Sequence, residues 1–120
     1  MDLVKIIYFD AAHKLPNVPV GHKCNRLHGH TFRVDIAVSG PEGTESGWVV
    51  DFADIQQAFL PLLDQLDHNY LNEVDGLDNP TSENIARWIW VRLKPLLPSL
   101  VKVSVFESPD SGCFYCGEDE

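Results

Sequence analysis

Long apolar runs are missing from this 120-residue sequence, and their absence excludes one class of protein. A helix needs about 20 consecutive apolar residues to cross a bilayer, and no segment approaches that length. The first ten residues, MDLVKIIYFD, also lack the basic stretch and apolar core of a secretory signal. We therefore expect a cytoplasmic protein that does not bind membranes.

Cysteine and positive charge are also scarce. Three cysteines, an odd number, do not suit a disulfide framework and agree with a reducing compartment. Nine lysines and arginines against 18 aspartates and glutamates give a formal net charge of −9. Because general nucleic-acid binding relies on neutralising phosphates, this balance predicts no nucleic-acid partner.

Repeats, low-complexity tracts and linkers are absent as well, so residues 1–120 are expected to form a single domain. Residues 3–10 and 29–39 alternate between apolar and polar side chains, which predicts two strands. The segment GPEGTESG after them is a predicted turn or hairpin loop.

From Asp51 the hydrophobic period changes to three and four residues, which predicts a helix with Asp51 as its N-cap. Pro61 falls inside this pattern, so a kink or an early end is expected there. A second helix should begin near NPTSEN and stop at Pro95. The segment LVKVSVFES is a predicted strand, and CFYC is a short final one.

The predicted order is therefore strand, strand, helix, helix, strand, strand. This order indicates an α+β domain with a four-stranded antiparallel sheet and both helices on one face. Such a sheet has two exposed edges, and edge pairing between copies is a natural way to cover them.

Two histidines begin the second strand, on the face of its apolar side chains. His28, His30, Phe32 and Val34 project the same way because strand side chains alternate faces. Catalytic zinc sites use three protein ligands, often imidazoles, and leave one position open. The candidates for a third ligand are His13, His22, Cys24 and His68. His13 is favoured, since it follows the strand that pairs with the second in a hairpin.

Cys24 precedes the histidine pair and lies beside Lys23 and Arg26. Nearby cations favour the reactive thiolate, although a free cysteine is often a small buried hydrophobe. Asp67 and His68 form a second candidate pair, because a carboxylate can fix an imidazole tautomer and a histidine can activate a thiol. Alternatively, Asp67 caps a turn.

Glu107 ends the last valine-rich strand in the phase of its valines, which directs the carboxylate toward the buried side. A buried carboxylate needs a partner, such as a guanidine-like pair of N–H donors; the alternative is a strand-end side chain that reaches solvent. Lys14, Lys23 and Arg26 form a local basic group that either binds a small anionic ligand or solvates a loop. Cys113 and Cys116 face opposite ways on a strand, so no zinc knuckle is expected.

Six stretches together resemble a known family. They are FDAAHKLP, GHKCNRLHGHTF, GWVVDFADI, LDHNYLN, NPTSENIARWIW and VFESPDSG, and they span nearly the whole chain. They resemble the 6-pyruvoyltetrahydropterin synthase superfamily. The arrangement of one cysteine before the histidine pair, C-x3-H-x-H, resembles the bacterial 6-carboxy-5,6,7,8-tetrahydropterin synthase branch.

The resemblance implies the tunnelling fold, in which such ββααββ units join through their sheets into an oligomeric barrel. The implied assembly is a homo-oligomer, a hexamer, with active sites between subunits. The implied site residues are the zinc ligands His13, His28 and His30, the catalytic Cys24 with the proton-relay pair Asp67 and His68, the pterin anchor Glu107, and the pterin-pocket segment Thr81, Ser82 and Glu83.

The implied reaction is the zinc-dependent conversion of 7,8-dihydroneopterin triphosphate to 6-carboxytetrahydropterin, acetaldehyde and triphosphate, on the route to queuosine. Lys14, Lys23 and Arg26 are then expected to contact the triphosphate. Two alternatives remain open. One is 6-pyruvoyltetrahydropterin synthase activity on the same fold, and the other is a non-catalytic zinc-binding module.

Overall fold

Four strands and two helices follow one another in the predicted order ββααββ in the computed structural model, which describes all 120 residues. The strands are β1 (Asp2–His13), β2 (His28–Ser39), β3 (Leu100–Ser108) and β4 (Ser111–Tyr115), and the helices are α1 (Phe52–Leu66) and α2 (Ser82–Leu93). Single 3₁₀ turns at Lys23–Asn25 and Leu71–Glu73 were not predicted.

The strands form one antiparallel sheet in the order β1-β2-β3-β4. β1 and β2 pair without interruption from Asp2 opposite Ser39 to His13 opposite His28. β1 is thus one residue longer at its start and three residues longer at its end than the predicted strand, 3–10. The residues Ala11, Ala12 and His13 lack an apolar alternation, but cross-strand pairing with β2 holds them in the sheet.

One face of the sheet forms the core together with both helices. Phe9, Phe32 and Val34 on this face are buried in one cluster with Ile55 of α1 and Ile89 of α2. The two helices cover different strands of this face: α1 packs on β1, and α2 packs on β3 and β4. The prediction that both helices share one face is confirmed.

The opposite face of β1 carries apolar side chains that no helix covers. Val4, Ile6 and Tyr8 are 48%, 45% and 61% exposed. β1 is also an edge of the sheet, so its outer backbone groups lack a neighbouring strand within the chain.

The start of α1 is confirmed, since the Asp51 side chain accepts a hydrogen bond from the backbone N–H of Ala53 at 2.9 Å. The predicted early end at Pro61 is wrong, because α1 continues to Leu66. Proline inside a helix costs about 3 kcal/mol. Phe59, Leu62 and Leu66 are almost fully buried on both sides of the proline, and this burial outweighs the lost hydrogen bond.

α2 begins at the predicted place. Thr81 is its N-cap and accepts a hydrogen bond from the N–H of Asn84 at 3.1 Å, while Pro80 stands just before the cap. The helix ends at Leu93, before Pro95. Neither helix combines the length and the hydropathy needed to span a membrane.

Candidate active site

Three histidines meet where β1 ends and β2 begins. His13 lies opposite His28 in the strand register, and His30 lies opposite Ala11, so all three side chains project from the same face. One ring nitrogen from each of them lies within 4.8 Å of the others. The hairpin thus gathers the three residues that the sequence predicted as metal ligands, which we call the hairpin triad.

Hydrogen bonds fix the ring tautomers of two members of the hairpin triad, His13 and His28. Nδ1 of His13 lies 2.8 Å from the carbonyl oxygen of Pro80, and Nδ1 of His28 lies 2.7 Å from that of Arg26. A carbonyl only accepts, so each Nδ1 carries the proton and each Nε2 keeps its lone pair. Nε2 of His13 is buried without a hydrogen-bond partner. Such a nitrogen is suited to a metal ion, and the cluster can hold one.

Burial favours the neutral form of His13 and of His30. It lowers the pKa of the fully buried His13 below the ordinary value of 6.5, despite the hydrogen bond to Pro80. Burial also lowers the pKa of His30, and the nearby Glu107 acts in the opposite direction. Because metals bind neutral imidazole, the protein favours the form that a metal needs.

Cys24 lies beside the hairpin triad, on a 3₁₀ turn (Lys23–Asn25) in the loop between β1 and β2. It lines a cavity of about 540 Å³ together with His28, His30 and Glu107, and Lys23 supplies the one positive charge on the wall. We call this the cysteine cavity. Cys24 is half-buried there, and the thiol is free.

Glu107 is only partly buried, with 35% of its side chain exposed. Its Oε2 lies 4.0 Å from Nε2 of His30, which is too long for a hydrogen bond. The carboxylate also borders a second cavity of about 350 Å³ that Tyr8, Arg33 and Phe106 line. It therefore lies at the histidine site, as its phase on β3 predicted, but it is not enclosed.

Asp67 and His68 follow α1 and form the predicted pair, which we call the turn pair. Oδ2 of Asp67 lies 3.0 Å from Nδ1 of His68. Two backbone contacts with Asp10 of β1 hold the pair: the Asp10 N–H donates to Oδ1 of Asp67 at 3.0 Å, and the His68 N–H donates to the Asp10 carbonyl at 2.6 Å. His68 adopts the left-handed conformation, with φ of 60°, to make these contacts.

Hydrogen bonding holds Asp67 in its charged form. The backbone N–H of Asp10, followed by His68, lowers the pKa of Asp67 despite some opposing desolvation. A carboxylate in this state can orient the imidazole and stabilise a positive charge on it. The prediction that Asp67 merely caps a turn is incomplete: it stands at the C-cap of α1, but its carboxylate bonds across to β1.

The turn pair does not share the cysteine cavity. His68 is 78% exposed and lines a different cavity of about 610 Å³. Gly29 and His30 border both cavities, whereas Cys24 borders only the cysteine cavity. Within one chain, the cysteine and the turn pair therefore stand on different walls around His30.

The remaining predicted site residues lie farther out. Thr81 caps α2, and Glu83 lines a separate cavity of about 320 Å³ with Arg87 and Cys113, so a pterin-pocket role for Thr81, Ser82 and Glu83 stays a prediction. Arg26 is exposed, and its backbone carbonyl accepts the hydrogen bond from Nδ1 of His28. The backbone of Lys14 pairs with the side chain of Asn72.

Three supporting groups escaped the sequence analysis. The Pro80 carbonyl and the Asp10 backbone carry no signal in the sequence, because any residue supplies the same atoms. His22, considered as a third metal ligand, lies outside the hairpin triad, and its Nδ1 accepts a hydrogen bond from the Cys24 N–H. The position of His22, two residues before Cys24, was the signal in the sequence that could have indicated this hydrogen bond.

Fold and site together define a class: an α+β chain with three clustered histidines that can hold a metal ion, at the base of its first hairpin, and a cysteine on the adjoining cavity. Residues 2–118 match the family model described as 6-pyruvoyl tetrahydropterin synthase, and the chain belongs to this family.

Relatives from several organisms agree with this assignment. A 6-carboxy-5,6,7,8-tetrahydropterin synthase from Synechocystis sp. is 41% identical over 119 residues, which cover 94% of this chain and 91% of that relative. A dihydroneopterin monophosphate aldolase from Pyrococcus furiosus is 38% identical, with 90% of this chain and 93% of the relative covered. The predicted resemblance is confirmed, and the chain is a lyase-type enzyme of this family.

The solved structure of a 6-pyruvoyl tetrahydropterin synthase from Caenorhabditis elegans superimposes with a TM-score of 0.90 at 28% identity, covering 98% of this chain and 96% of that one. The four-stranded sheet with two helices is thus the tunnelling fold, as predicted.

Proposed function

We propose that the protein is a zinc-dependent enzyme that converts 7,8-dihydroneopterin triphosphate and water to 6-carboxy-5,6,7,8-tetrahydropterin, acetaldehyde and triphosphate, on the route to queuosine. The observation that carries the proposal is the meeting of Cys24 with His28, His30 and Glu107 on one cavity wall. A free thiol beside a three-imidazole metal cluster combines a base and a Lewis acid at one place.

Zinc is the proposed metal. The hairpin triad offers three neutral imidazoles and no carboxylate, a ligand set that zinc accepts while keeping a fourth position for substrate or water. The buried, unpartnered Nε2 of His13 supports this assignment. When bound there, zinc polarises the side-chain oxygens of the substrate and acidifies the adjoining C–H bonds.

The protein's own residues then divide the proton transfers. Cys24, as the thiolate, removes a proton from the substrate side chain. His68, oriented by the Asp67 carboxylate, returns one at another position. Glu107 accepts the N–H donors of the pterin edge, and Lys23, on the same wall as Cys24, meets the negative phosphates. Arg26 and Lys14 are proposed to contact the phosphates as well, although neither lines the cysteine cavity.

The active site requires more than one chain in this proposal. Cys24 and His68 line different cavities within one chain, and His68 is largely exposed. The edge strand β1 also carries the uncovered Val4, Ile6 and Tyr8. We propose that copies pair through their sheets into a barrel, a hexamer, in which the turn pair of one subunit completes the cysteine cavity of another.

The direct test is incubation of the zinc-loaded protein with 7,8-dihydroneopterin triphosphate, followed by assays for acetaldehyde and free triphosphate. The proposal expects both products in equal amounts, together with the carboxylated pterin by mass analysis. Release of triphosphate without acetaldehyde contradicts it and indicates 6-pyruvoyltetrahydropterin synthase activity instead.

The Pyrococcus furiosus relative favours a second candidate, an aldolase acting on dihydroneopterin monophosphate. Such an enzyme breaks a carbon–carbon bond in the side chain and leaves the phosphate on the released aldehyde. The same incubation, repeated with the monophosphate, separates the two candidates. Cleavage of the monophosphate without release of inorganic phosphate, and no turnover of the triphosphate, establishes the aldolase.

A further inference from the structure

His22 is the one histidine that belongs neither to the hairpin triad nor to the turn pair. It stands at the start of the 3₁₀ turn that carries Cys24, and its Nδ1 accepts a hydrogen bond from the Cys24 backbone N–H at 3.0 Å. A nitrogen that accepts from an N–H has a free lone pair, so this ring is held with its proton on Nε2. The hydrogen bond therefore fixes the orientation of the His22 ring and joins it to the backbone of Cys24, the proposed catalytic residue.

The turn that carries Cys24 is held, besides its own backbone bonds, by the side chain of Asn25, whose Nδ2 donates to the Val18 carbonyl at 3.4 Å. It is three residues long, and a single 3₁₀ turn is too short to be stable by itself. The chain holds Cys24 from both sides. His22 binds its N–H, and the Leu15 N–H donates to its carbonyl at 2.8 Å. The second bond is made by backbone atoms, so the first is the one that depends on a side chain.

His22 has the backbone geometry of a helix cap. Its φ of −66° and ψ of 137° are extended, and its carbonyl accepts from the Asn25 N–H at 3.0 Å. Serine, threonine, aspartate and asparagine are the usual residues at such a position, because their short side chains reach the first free N–H groups. Here an imidazole nitrogen makes the same bond.

We propose that His22 is a positioning residue for Cys24: by capping the 3₁₀ turn at Lys23–Asn25 it fixes the thiol on the wall of the cysteine cavity. The inference rests on the proposed function of Cys24 as the base. Its importance follows from the sensitivity of proton transfer to distance, since a displacement of about 1 Å can cost roughly a hundredfold in rate. His22 does not touch the metal cluster, so its effect is separate from metal binding.

The test compares three zinc-loaded variants. His22→Ala removes the acceptor. His22→Asn replaces it with an amide oxygen suited to a cap. Val20→Ala is the matched control, since Val20 lies in the same loop and is 99% exposed. Two measurements are made on each: hydrogen exchange resolved to the Cys24 N–H, and kcat and KM for product formation.

The expected result is loss of exchange protection at the Cys24 N–H in His22→Ala, with a fall in kcat of roughly tenfold to a hundredfold and little change in KM. His22→Asn should recover both the protection and most of the kcat, and Val20→Ala should match the wild type. Zinc content and the unfolding temperature should be alike in all variants, which separates positioning from a general loss of structure.

Two results overturn the inference. One is unchanged protection of the Cys24 N–H in His22→Ala, which means that the bond does not hold the turn. The other is lost protection with an unchanged kcat, which means that the bond does not serve catalysis. The exchange measurement needs no turnover, so a protein inactive on pterin triphosphates disproves the proposed function and leaves the structural part of the inference standing.

Discussion

The hairpin triad and the turn pair adjoin at the cavity that His30 and His68 both line, yet they are built in different ways. The hairpin triad is set by strand register: His13 faces His28 across the hairpin, and the alternation of β2 brings His30 to the same face. The turn pair depends on a residue in the left-handed conformation and on two hydrogen bonds to the backbone of Asp10. One group is formed by regular structure, and the other by a local turn.

The two groups also differ in burial. His13 is fully buried and hydrogen-bonds to Pro80 of the same chain, whereas the His68 side chain is 78% exposed. His68, the relay residue of the proposed function, has room for a substrate or another subunit against it. Under that proposal, metal binding belongs to the single chain and catalysis belongs to the assembly.

The largest effect is expected at the hairpin triad. His28→Ala leaves two protein ligands, and a site with two ligands holds zinc poorly. Zinc content, measured by mass spectrometry of the metal after dialysis, should fall close to zero and activity should be lost. The matched control is His68→Ala, which should retain zinc fully. Equal zinc loss in both variants contradicts the division between the two groups.

Cys24→Ala should keep its zinc and still bind substrate while losing the proton-transfer step, which contributes roughly 10²–10⁴-fold in rate. Single-turnover kinetics and zinc content are the measurements. Zinc loss equal to that of His28→Ala would identify Cys24 as a ligand, and the assigned mechanism would be wrong. Normal turnover with zinc present would mean that another group is the base, and His68 would be the first candidate.

Glu107→Gln should weaken substrate binding by about 2–5 kcal/mol, because the pterin N–H donors lose a charged partner. Folding and zinc content should be unchanged, since Glu107 lies outside the hairpin triad that is proposed to hold the metal. Titration of the zinc-loaded variant with substrate, followed by calorimetry, measures the loss. An unchanged affinity removes Glu107 from the pterin site.

Subunit mixing tests the division most directly. Cys24→Ala and His68→Ala chains, each carrying a different tag, are co-expressed and the oligomers with both tags are purified. If the turn pair of one subunit serves the cysteine cavity of another, some sites combine an intact Cys24 with an intact His68. Activity should then exceed that of either variant alone. Mixed oligomers without recovered activity place both residues in one chain's site.

The smallest effect concerns pH. The pKa of His13 is lowered in the folded chain, so the unfolded chain binds more protons below the ordinary value of 6.5. In metal-free protein, the stability gained from neutral His13 is present above pH 6.5 and is lost as the pH falls toward the folded-state pKa. Urea unfolding at several pH values should show this decline, and His13→Gln should show a shallower one. Equal slopes contradict the burial effect.

Much of this architecture could be predicted because it follows from periodicity and capping. The alternation of β2, the apolar stripe of α1 and the Asp51 cap are local signals, and each was confirmed. The early end at Pro61 was wrong because the burial of Phe59 and Leu62 is a tertiary effect that no local rule contains. The 3₁₀ turns were missed because three residues show no periodicity. Contacts between Lys14 and Asn72 hold the turn at Leu71–Glu73, whereas bonds from His22 and Leu15 hold the turn at Lys23–Asn25.

The candidate site divides along the same line. His13, His28 and His30 were found because the first two strands were predicted to pair as a hairpin, and the observed register places His13 opposite His28. The groups that orient these rings were not predicted. The Pro80 carbonyl, for example, is a backbone group 67 residues away from His13. The left-handed His68 has no compositional signal either, because a histidine there gives no sign of its φ.

The bond between His13 and Pro80 has a consequence for how the protein matures. Its two ends lie 67 residues apart, so it forms only after α2 has docked on the sheet. Contacts of such long sequence separation close late, since the intervening chain must first be ordered. Before that moment nothing commits the ring of His13 to the tautomer that a metal needs. We therefore expect the hairpin triad to bind a metal ion only at the end of folding, so that a retained ion marks a fully folded chain.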